Sequence, residues 1–244
     1  MKSIETHART FFKVIIFSIS SVSCADLYKF PWPNYASVGA NFHGTPVVCG
    51  TVDSQQTCFK YTGWPDGWQQ FASLKGKRHN AAGLMHESKF HVFGGWDWDS
   101  SSSQKTTELI SIDGGVEDGP ELPERVDGHA ITSIDSTLSL LSGGATDNGP
   151  SSPLTWYFNH ETNVFSSGPS LLESRKSHGS ATVVDKVTKT KIPMVTGGFG
   201  NSGRLDSTEL LINGIWQSGA VQCPKIVTPH CRFLVPGNTQ KILT

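Results

Sequence analysis

The sequence lacks an excess of charge of either sign. Its 244 residues carry 20 basic and 21 acidic side chains, which gives a formal net charge of −1 at pH 7. No basic tail or stripe is present along the chain. Nucleic acids and anionic membranes attract proteins mainly through clustered lysine and arginine side chains. The charge pattern therefore argues against both kinds of partner.

The sequence also lacks the motifs of common enzymes and any long apolar run. It contains no G-x-S-x-G, Walker A or H-E-x-x-H motif and no N-x-S/T sequon. The apolar run that begins at Val14 and continues to Val22 is about half of the roughly 20 residues that a membrane-spanning helix needs. No amphipathic helical period competes with the short, alternating apolar segments found elsewhere. These absences favour an all-β protein with no recognisable catalytic centre.

The N-terminus has the layout of a secretory signal peptide. Three basic residues precede the apolar run: Lys2, Arg9 and Lys13. The run is followed by the small residues Val22-Ser23-Cys24, which suit cleavage before Ala25. The sequence therefore predicts a signal peptide at residues 1–24, a mature domain at residues 25–244, and secretion with no membrane anchor after cleavage.

Cysteine is scarce, and its spacing agrees with export. Cleavage after Cys24 would leave four of the five cysteines, in two close pairs: Cys49 with Cys58, and Cys223 with Cys231. In an oxidising compartment such pairs usually become short-loop disulfides. Three connectivities are possible, and we favour the one that joins each close pair. The spacings match no common zinc-ligand pair, so no metal is assigned to the cysteines.

An apolar run that ends in a diglycine recurs along the chain. Clear copies occupy residues 90–95, 138–144 and 192–198, and a degenerate copy occupies residues 46–50. The diglycines are Gly94-Gly95, Gly143-Gly144 and Gly197-Gly198. Histidines recur in step at intervals of 50, 49 and 52 residues, namely His79, His129, His178 and His230, and the first three closely follow Arg78, Arg125 and Arg175. A third marker, Thr106–Ile110, reappears as Ser207–Leu211.

Each period can be divided into four short strands. One strand follows the histidine, a second ends at the diglycine, and a third and fourth follow a long polar loop. In the first period the last turn lies between Tyr61 and Trp68. Four antiparallel strands in about 50 residues are typical of one blade of a β-propeller.

These markers resemble those of the kelch family. The resemblance rests on the diglycine after an apolar strand, the Arg-and-His entry to the first strand, and the Tyr61–Trp68 pair, for which Phe158 and Phe165 substitute in the third period. It covers roughly residues 35–235 and implies an all-β, kelch-type propeller. The mature length fits about four to five blades. Either the C-terminal strand completes the N-terminal blade and closes the ring, or the propeller is incomplete.

The repeated histidines allow two interpretations. First strands line the channel of a propeller, so imidazoles that converge there could bind zinc or copper. Alternatively, histidine and arginine travel together as part of blade packing, which is the interpretation we favour. The acidic segment from Glu121 to His129 offers general acid–base groups but also matches an ordinary connection between blades. We therefore assign no catalytic residue, metal or cofactor.

The loops that follow the diglycines are the best candidates for binding, because loops on a rigid scaffold commonly carry function. Blade geometry predicts that they emerge on one rim, which we call the diglycine rim. Its candidate binding residues are Trp96, Asp97, Trp98, Asp99, Asp147, Asn148, Asn201 and Arg204. Tryptophan and arginine dominate protein interfaces, which favours a protein partner. A carbohydrate partner is the first alternative, and a metal-dependent or sugar-modifying enzyme is the second.

Overall fold

The computed structural model describes residues 30–31, 35–63, 66–185 and 187–219. Within these ranges the protein is all-β and contains no helix. The described residues accordingly provide no helix long and apolar enough to span a membrane. The predicted signal peptide, the Cys223–Cys231 disulfide and His230 lie outside the described residues.

In the described ranges, twenty strands build four four-stranded antiparallel sheets and two small hairpins. Sheet 1 contains β1 (Val38–Phe42), β2 (Thr45–Cys49), β3 (Thr57–Tyr61) and β4 (Trp68–Ser73). Sheet 2 contains β5 (Ala82–His86) and β6 (Lys89–Phe93), then a hairpin of β7 (Trp96–Asp97) and β8 (Ser102–Ser103), then β9 (Thr107–Ser111) and β10 (Val116–Asp118). Sheet 3 contains β11 (Ala130–Ser133), β12 (Leu138–Ser142), β13 (Thr155–Asn159) and β14 (Val164–Ser167). Sheet 4 contains β15 (Gly179–Val184) and β16 (Lys191–Thr196), then a hairpin of β17 (Phe199–Gly200) and β18 (Gly203–Arg204), then β19 (Thr208–Ile212) and β20 (Ile215–Ser218).

Each sheet is formed by consecutive strands apart from the inserted hairpins, as the repeat analysis predicts. Sheet 1 takes all four of its strands from Val38–Ser73, so it needs no strand from the C-terminus. The aromatic pairs of the last turns lie directly across from each other. The rings of Tyr61 and Trp68 are 5.5 Å apart, and those of Phe158 and Phe165 are 4.6 Å apart. Cross-strand aromatic pairs of this kind stabilise a sheet.

The first strands of the four sheets lie side by side in chain order, which is consistent with a propeller-like fold. A series of backbone hydrogen bonds joins the residues just before them. Asn80 donates its N–H to Ala36 O at 2.5 Å, Gly128 donates to Asn80 O at 2.9 Å, and Ser177 donates to Gly128 O at 2.7 Å. All four residues have positive φ, between 52° and 63°. They mark the same position in each repeat and align the sheets.

This alignment changes the histidine register. His129 and His178 each directly follow the positive-φ residue, whereas His79 precedes it. His79 instead shares its position with Asp127 and Lys176, because each of these three residues makes an isolated bridge to the loop after the diglycine. Arg125 likewise lies one residue before the position of Arg78 and Arg175, which Val126 occupies. Equal sequence intervals hid this difference, because the connections between sheets differ in length.

Close approach of neighbouring sheets explains the diglycines. A Cβ at Gly94 would lie 2.5 Å from Val126 O, and a Cβ at Gly143 would lie 2.3 Å from Arg175 O. Both carbonyls belong to the connection that enters the following sheet. Gly50 is packed in the same way, 2.4 Å from Arg78 O, so the degenerate first copy aligns as Gly50-Thr51. Both glycines of each clear pair also have positive φ, which favours glycine.

Apolar clusters fill the spaces between adjacent sheets. Phe42, Val47 and Phe90 belong to a cluster between sheets 1 and 2. Phe93 and Phe158 belong to the next cluster, and Leu140 with Trp216 to the one between sheets 3 and 4. A disulfide joins Cys49 and Cys58 where β2 faces β3, with a Cα–Cα distance of 4.1 Å. This pairing is confirmed, and no free thiol of these two cysteines is left in the core.

Candidate functional site

The loops after the diglycines contact one another from sheet to sheet. Trp98 N donates to Gln55 Oε1 at 3.1 Å, which links the loops of sheets 1 and 2. Asp147 Oδ1 accepts from Ser103 N at 2.8 Å and links sheets 2 and 3. Asn201 Oδ1 accepts from Ser151 N at 2.6 Å and links sheets 3 and 4. The loops thus form one continuous, hydrogen-bonded surface.

Trp98 is the aromatic side chain that this surface presents to solvent. It is 51% exposed. Its ring stacks on His79, with centroids 5.1 Å apart and planes 16° apart, and meets Trp96 edge to face at 6.3 Å. These ring contacts and the bond to Gln55 hold the indole in a fixed orientation. An ordered, exposed indole loses little conformational entropy when a partner covers it.

Trp96 has a structural role in the same loop. It is only 5% exposed, and its backbone exchanges hydrogen bonds with that of His79 at 2.7 and 2.9 Å. These bonds attach the hairpin β7–β8 to the start of sheet 2. Of the two tryptophans predicted to bind a partner, the structure leaves only Trp98 accessible.

The two aspartates beside Trp98 are engaged within the protein. Asp97 accepts hydrogen bonds from Asp99 N at 2.9 Å and from Ser100 Oγ at 2.8 Å, and so shapes the turn. Asp99 pairs with Lys77, and this hydrogen bond raises the pKa of the lysine above its ordinary value. Both groups of this pair are exposed, so the pair adds local order and little stability.

The other predicted residues divide into linking and exposed groups. The side-chain oxygens of Asp147 and Asn201 accept hydrogen bonds from the backbone of the neighbouring loop. Asn148 is exposed in a turn with a φ of 60°. Arg204 is exposed on β18, and its guanidinium lies 5.9 Å from the Phe199 ring. Asn148 and Arg204 therefore border the surface at sheets 3 and 4, while Trp98 lies at sheet 2.

The charge state of His79 supports the stacking arrangement. Burial lowers the pKa of His79 below 6.5, and the nearby Asp127 carboxylate partly opposes this shift. The imidazole is therefore neutral at neutral pH and can stack on the indole without a desolvated charge. His79 was predicted as a repeat marker only, and its contact with Trp98 was not visible in the sequence.

Two buried ion pairs beneath this surface were also missed. Arg78 pairs with Glu108 at 2.6 Å, and Arg175 pairs with Glu209 at 2.7 Å. A signal for them was present, since the arginine marker and the Thr-Glu-Leu marker occur together in the second and fourth repeats. In the third repeat the equivalent glutamate position is Trp156, and Arg125 bonds instead to Ser103 O at 3.1 Å.

No group of three or more His, Cys, Asp or Glu side chains in the described ranges is arranged to hold a metal ion. His129 and His178 are buried where the first strands begin, and His178 Nε2 lies 2.9 Å from Ser142 Oγ. The acidic segment from Glu121 to His129 forms the connection between sheets 2 and 3, where Glu121 pairs with Lys105 at 3.1 Å. These histidines and acidic residues lie in or next to the connections between successive sheets.

A cluster of imidazoles lies between sheets 2 and 3, at the end of the sheets away from the diglycine rim. His86 and His160 stack with centroids 3.8 Å apart beside a cavity of about 250 Å³, which His91 also lines. Burial lowers the pKa of His91 to about 3, and that of His160 to about 4, with the neighbouring imidazoles adding to both shifts. The rings of His91 and His160 are thus neutral at neutral pH and pack as part of the interface between the two sheets.

Comparison with known proteins supports the fold and no more. No family model matches this sequence, and no curated protein matches it. The solved structure of YjhT is similar, with a TM-score of 0.67 over 82% of this chain and 69% of that chain, at 16% sequence identity. At this low sequence identity the similarity supports only the architecture of four-stranded antiparallel sheets. It gives no information about activity.

Proposed function

We propose that this protein is a secreted, kelch-type β-propeller that binds a partner protein through the diglycine rim, with Trp98 at the centre of the contact. The observation that carries the proposal is the half-exposed Trp98 ring, which is stacked on buried His79. Interface hot spots are enriched in tryptophan, and a side chain that is already ordered loses less entropy on binding.

Several features support the propeller and its secretion. The first strands of four sheets lie side by side, and each diglycine packs on the connection to the following sheet. The kelch resemblance accounts for the diglycines and the Tyr61–Trp68 pair. The signal-peptide pattern at residues 1–24 and the Cys49–Cys58 disulfide favour an oxidising, extracellular location.

A protein partner fits the surface around Trp98 better than a sugar does. Sugar sites combine an aromatic platform with free carboxylates that accept hydrogen bonds from hydroxyl groups. Here Asp97 is occupied by its own turn and Asp99 by Lys77. What the rim offers instead is an ordered indole beside loops that hydrogen-bond to one another, a mixture of apolar and polar groups that suits a protein interface.

The experiment compares partner capture by variants of the secreted protein. Because Trp96 is buried, its replacement would disturb the fold, so the test uses Trp98→Ala alone. Val164→Ala is the matched control, since Val164 is exposed on β14, away from the rim. Proximity labelling of extracellular proteins should identify a partner whose recovery falls at least tenfold with Trp98→Ala and is unchanged in the control.

The same variants can be applied to a glycan array. A sugar ligand whose binding is lost with Trp98→Ala would replace the protein-partner proposal with the carbohydrate alternative. Equal recovery of every partner by the Trp98→Ala variant and the parent would remove the rim from consideration.

A further inference from the structure

The Cys49–Cys58 disulfide closes a loop that belongs to the diglycine rim. The two cysteines face each other directly at the end of the β2–β3 ladder and are 9 positions apart in the sequence. Residues 50–57, which we call the disulfide loop, lie between them and lead from β2 to β3. The loop begins at Gly50, the counterpart of the first glycine in each diglycine. The covalent bond is therefore part of the candidate binding surface as well as of the core.

Gln55 of the disulfide loop contacts two segments of sheet 2 at once. Its side-chain oxygen accepts from Trp98 N at 3.1 Å, and its backbone carbonyl accepts from Arg78 N at 3.1 Å. Arg78 directly precedes His79, whose ring stacks on the Trp98 indole. One residue of sheet 1 thus holds both halves of the stack, the imidazole through the neighbouring backbone and the indole through the amide side chain.

The rest of the disulfide loop packs against the same connection. A Cβ at Gly50 would lie 2.4 Å from Arg78 O. Gln56 O accepts from Leu74 N at 2.7 Å, and Gln56 Nε2 donates to Leu74 O at 3.1 Å. Any displacement of the loop is therefore transmitted to the connection that carries His79.

The covalent bond supplies a constraint that hydrogen bonds supply only weakly here. Thr51 and Ser54 exchange backbone hydrogen bonds of 3.2 Å each, and Thr57 N donates to Ser54 O at 3.3 Å, which is longer than the usual length of about 2.9–3.0 Å. A β-bulge lies between Cys58 and Phe59 in the pairing of β3 with β4. Because a bulge locally disrupts the ladder, the disulfide strengthens the start of β3 where the ladder is weakened.

The rim loops of two other sheets are braced by backbone pairing. In sheet 2 the hairpin β7–β8 pairs Trp96 with Ser103, and in sheet 4 the hairpin β17–β18 pairs Phe199 with Arg204. Each hairpin also bridges to the connection that enters its sheet. In the disulfide loop a covalent bond takes this part, so the order of the loop depends on the oxidation state of two cysteines.

We propose that oxidation of Cys49 and Cys58 regulates partner binding at the diglycine rim, with Gln55 as the positioning residue for Trp98. Loop closure transfers two electrons and two protons from the two thiols to a disulfide-bearing oxidant, which becomes a dithiol. The closed loop holds Gln55 against Trp98 and Arg78, so the indole is ordered before a partner arrives. In the reduced chain the loop moves, the indole loses this support, and binding weakens. This inference rests on the proposed function.

Burial of the bond ties this regulation to the compartment in which the chain folds. Cys49 and Cys58 are fully buried, so a thiolate can attack the bond only after the loop opens. The bond forms during folding in an oxidising compartment, and burial then protects it. A chain that folds in a reducing compartment is left with a mobile rim around Trp98.

The first test measures the order parameter of the Trp98 indole N–H by ¹⁵N relaxation in the full-length secreted protein, with no partner present. We expect about 0.85 in the parent and below about 0.6 in the double variant Cys49→Ala, Cys58→Ala. Gln55→Ala keeps the disulfide and should lower the value in the same way, whereas Gln55→Glu keeps an acceptor oxygen and should retain the value of the parent. Gln70→Ala, an exposed position on β4, is the matched control and should change nothing.

The Trp156 indole reports on the fold in the same spectra, because it is buried in the cluster that includes Phe93 and Phe158. An order parameter at Trp98 that is unchanged in the disulfide-free variant and in Gln55→Ala would overturn the proposal. A loss of order at Trp156 as large as that at Trp98 would show that the bond acts on the whole fold, and this too would overturn it.

The second test measures the Kd of a partner whose capture requires Trp98. Removing the disulfide should weaken binding about tenfold or more, and so should Gln55→Ala. The two changes combined should weaken it no further than either alone, because they act through one contact. Additive effects, or full affinity without the disulfide in a protein that still requires Trp98, would overturn this inference and leave the proposed function intact. Equal binding by the parent and Trp98→Ala would overturn both.

Discussion

The guanidinium of Arg175 donates to the carboxylate of Glu209 at 2.7 Å, and both side chains are buried within sheet 4. Arg175 belongs to the connection that enters the sheet, and Glu209 lies on β19. The second oxygen of Glu209 accepts from Leu172 N at 2.7 Å. The pair therefore fixes the connection to the body of the sheet, directly below the loops of the diglycine rim.

The same joint is built without charge in sheet 3. There, Val126 and Trp156 hold the positions of arginine and glutamate, and both belong to one apolar cluster. Buried ion pairs give little net stability, because desolvation offsets the attraction, although removing one partner is costly. The chain thus holds the connection to the sheet with a buried ion pair in sheets 2 and 4 and with apolar packing in sheet 3.

Breaking the pair on one side should destabilise the protein strongly. Glu209→Leu removes the buried counter-ion of Arg175 and leaves only the half-exposed Glu173 carboxylate at 3.7 Å. We expect a loss of about 3–5 kcal/mol in the free energy of unfolding. The double variant Arg175→Met, Glu209→Leu should lose less than the single variant, because it resembles the apolar joint of sheet 3. Chemical denaturation of the three proteins measures this, and a double variant less stable than Glu209→Leu alone would contradict it.

Replacing the first glycine of a diglycine should lower the stability of the protein by more than the strain of its positive φ alone explains. Gly143 and Gly214 both have positive φ, 61° and 76°. A Cβ at Gly143 would meet Arg175 O at 2.3 Å, whereas a Cβ at Gly214 meets nothing within 4 Å. Gly214→Ala should cost about 1–2 kcal/mol of stability, and Gly143→Ala clearly more. Thermal unfolding compares the two variants, and equal shifts in Tm would argue against close packing of the sheets.

Acid should destabilise the interface between sheets 2 and 3. The pKa values of His91 and His160, about 3 and about 4, lie below the ordinary value of 6.5 for an unfolded chain. At pH values below 6.5 and above these lowered pKa values, the unfolded chain binds protons at His91 and His160 that the folded protein does not bind. The free energy of unfolding therefore falls as the pH drops below about 6.5 and levels off near pH 3.

Two histidine variants distinguish the titration of this histidine cluster from the overall effect of low pH on stability. His160→Gln removes one titrating imidazole that stacks on His86, so Tm should depend less steeply on pH between 6.5 and 4. Exposed His43 provides the control, and His43→Gln should keep the slope of the parent. The groups facing the cluster, which include Asp135 and the cavity-lining residues Glu87, Lys89 and Glu161, are unchanged in both variants. Parallel pH profiles for all three proteins would refute the assignment.

The disulfide should contribute measurably to stability. It closes a short loop between β2 and β3, and such crosslinks typically add about 2–4 kcal/mol. Cys49→Ala with Cys58→Ala should lower the denaturation midpoint by a corresponding amount. A reductant should lower the midpoint of the parent towards that of the double variant and leave the variant unchanged. If the parent and the double variant unfold at the same midpoint, the bond carries no stability.

Local sequence signals predicted the sheets well. The sequence divided each repeat into four consecutive strands, and each sheet has this composition apart from the inserted hairpins. Strand and turn formation depend on neighbouring residues, so local patterns carry this information. The diglycines located the ends of the second strands for the same reason. The histidine register was less accurate, since equal spacing in the sequence does not require equal position in space when connection lengths differ.

The candidate site was predicted only in outline. The loops and their tryptophans were identified, but Trp96 and Trp98 looked equivalent in the sequence. Burial separates them, because Trp96 bridges to His79 while Trp98 stacks outside it. The links through Asp147 and Asn201 join residues of different repeats, and no local pattern records such contacts.

The sequence by itself determined the all-β class from short-range alternation and the repeat from markers that recur about every 50 residues. Close spacing favoured the Cys49–Cys58 pairing among three connectivities. Only the tertiary structure decided which side chains are buried, which carboxylates are already engaged, and which of the two indoles is exposed. Those outcomes depend on how one sheet packs against its neighbour, and the residues that meet there lie 43 to 50 positions apart in the chain.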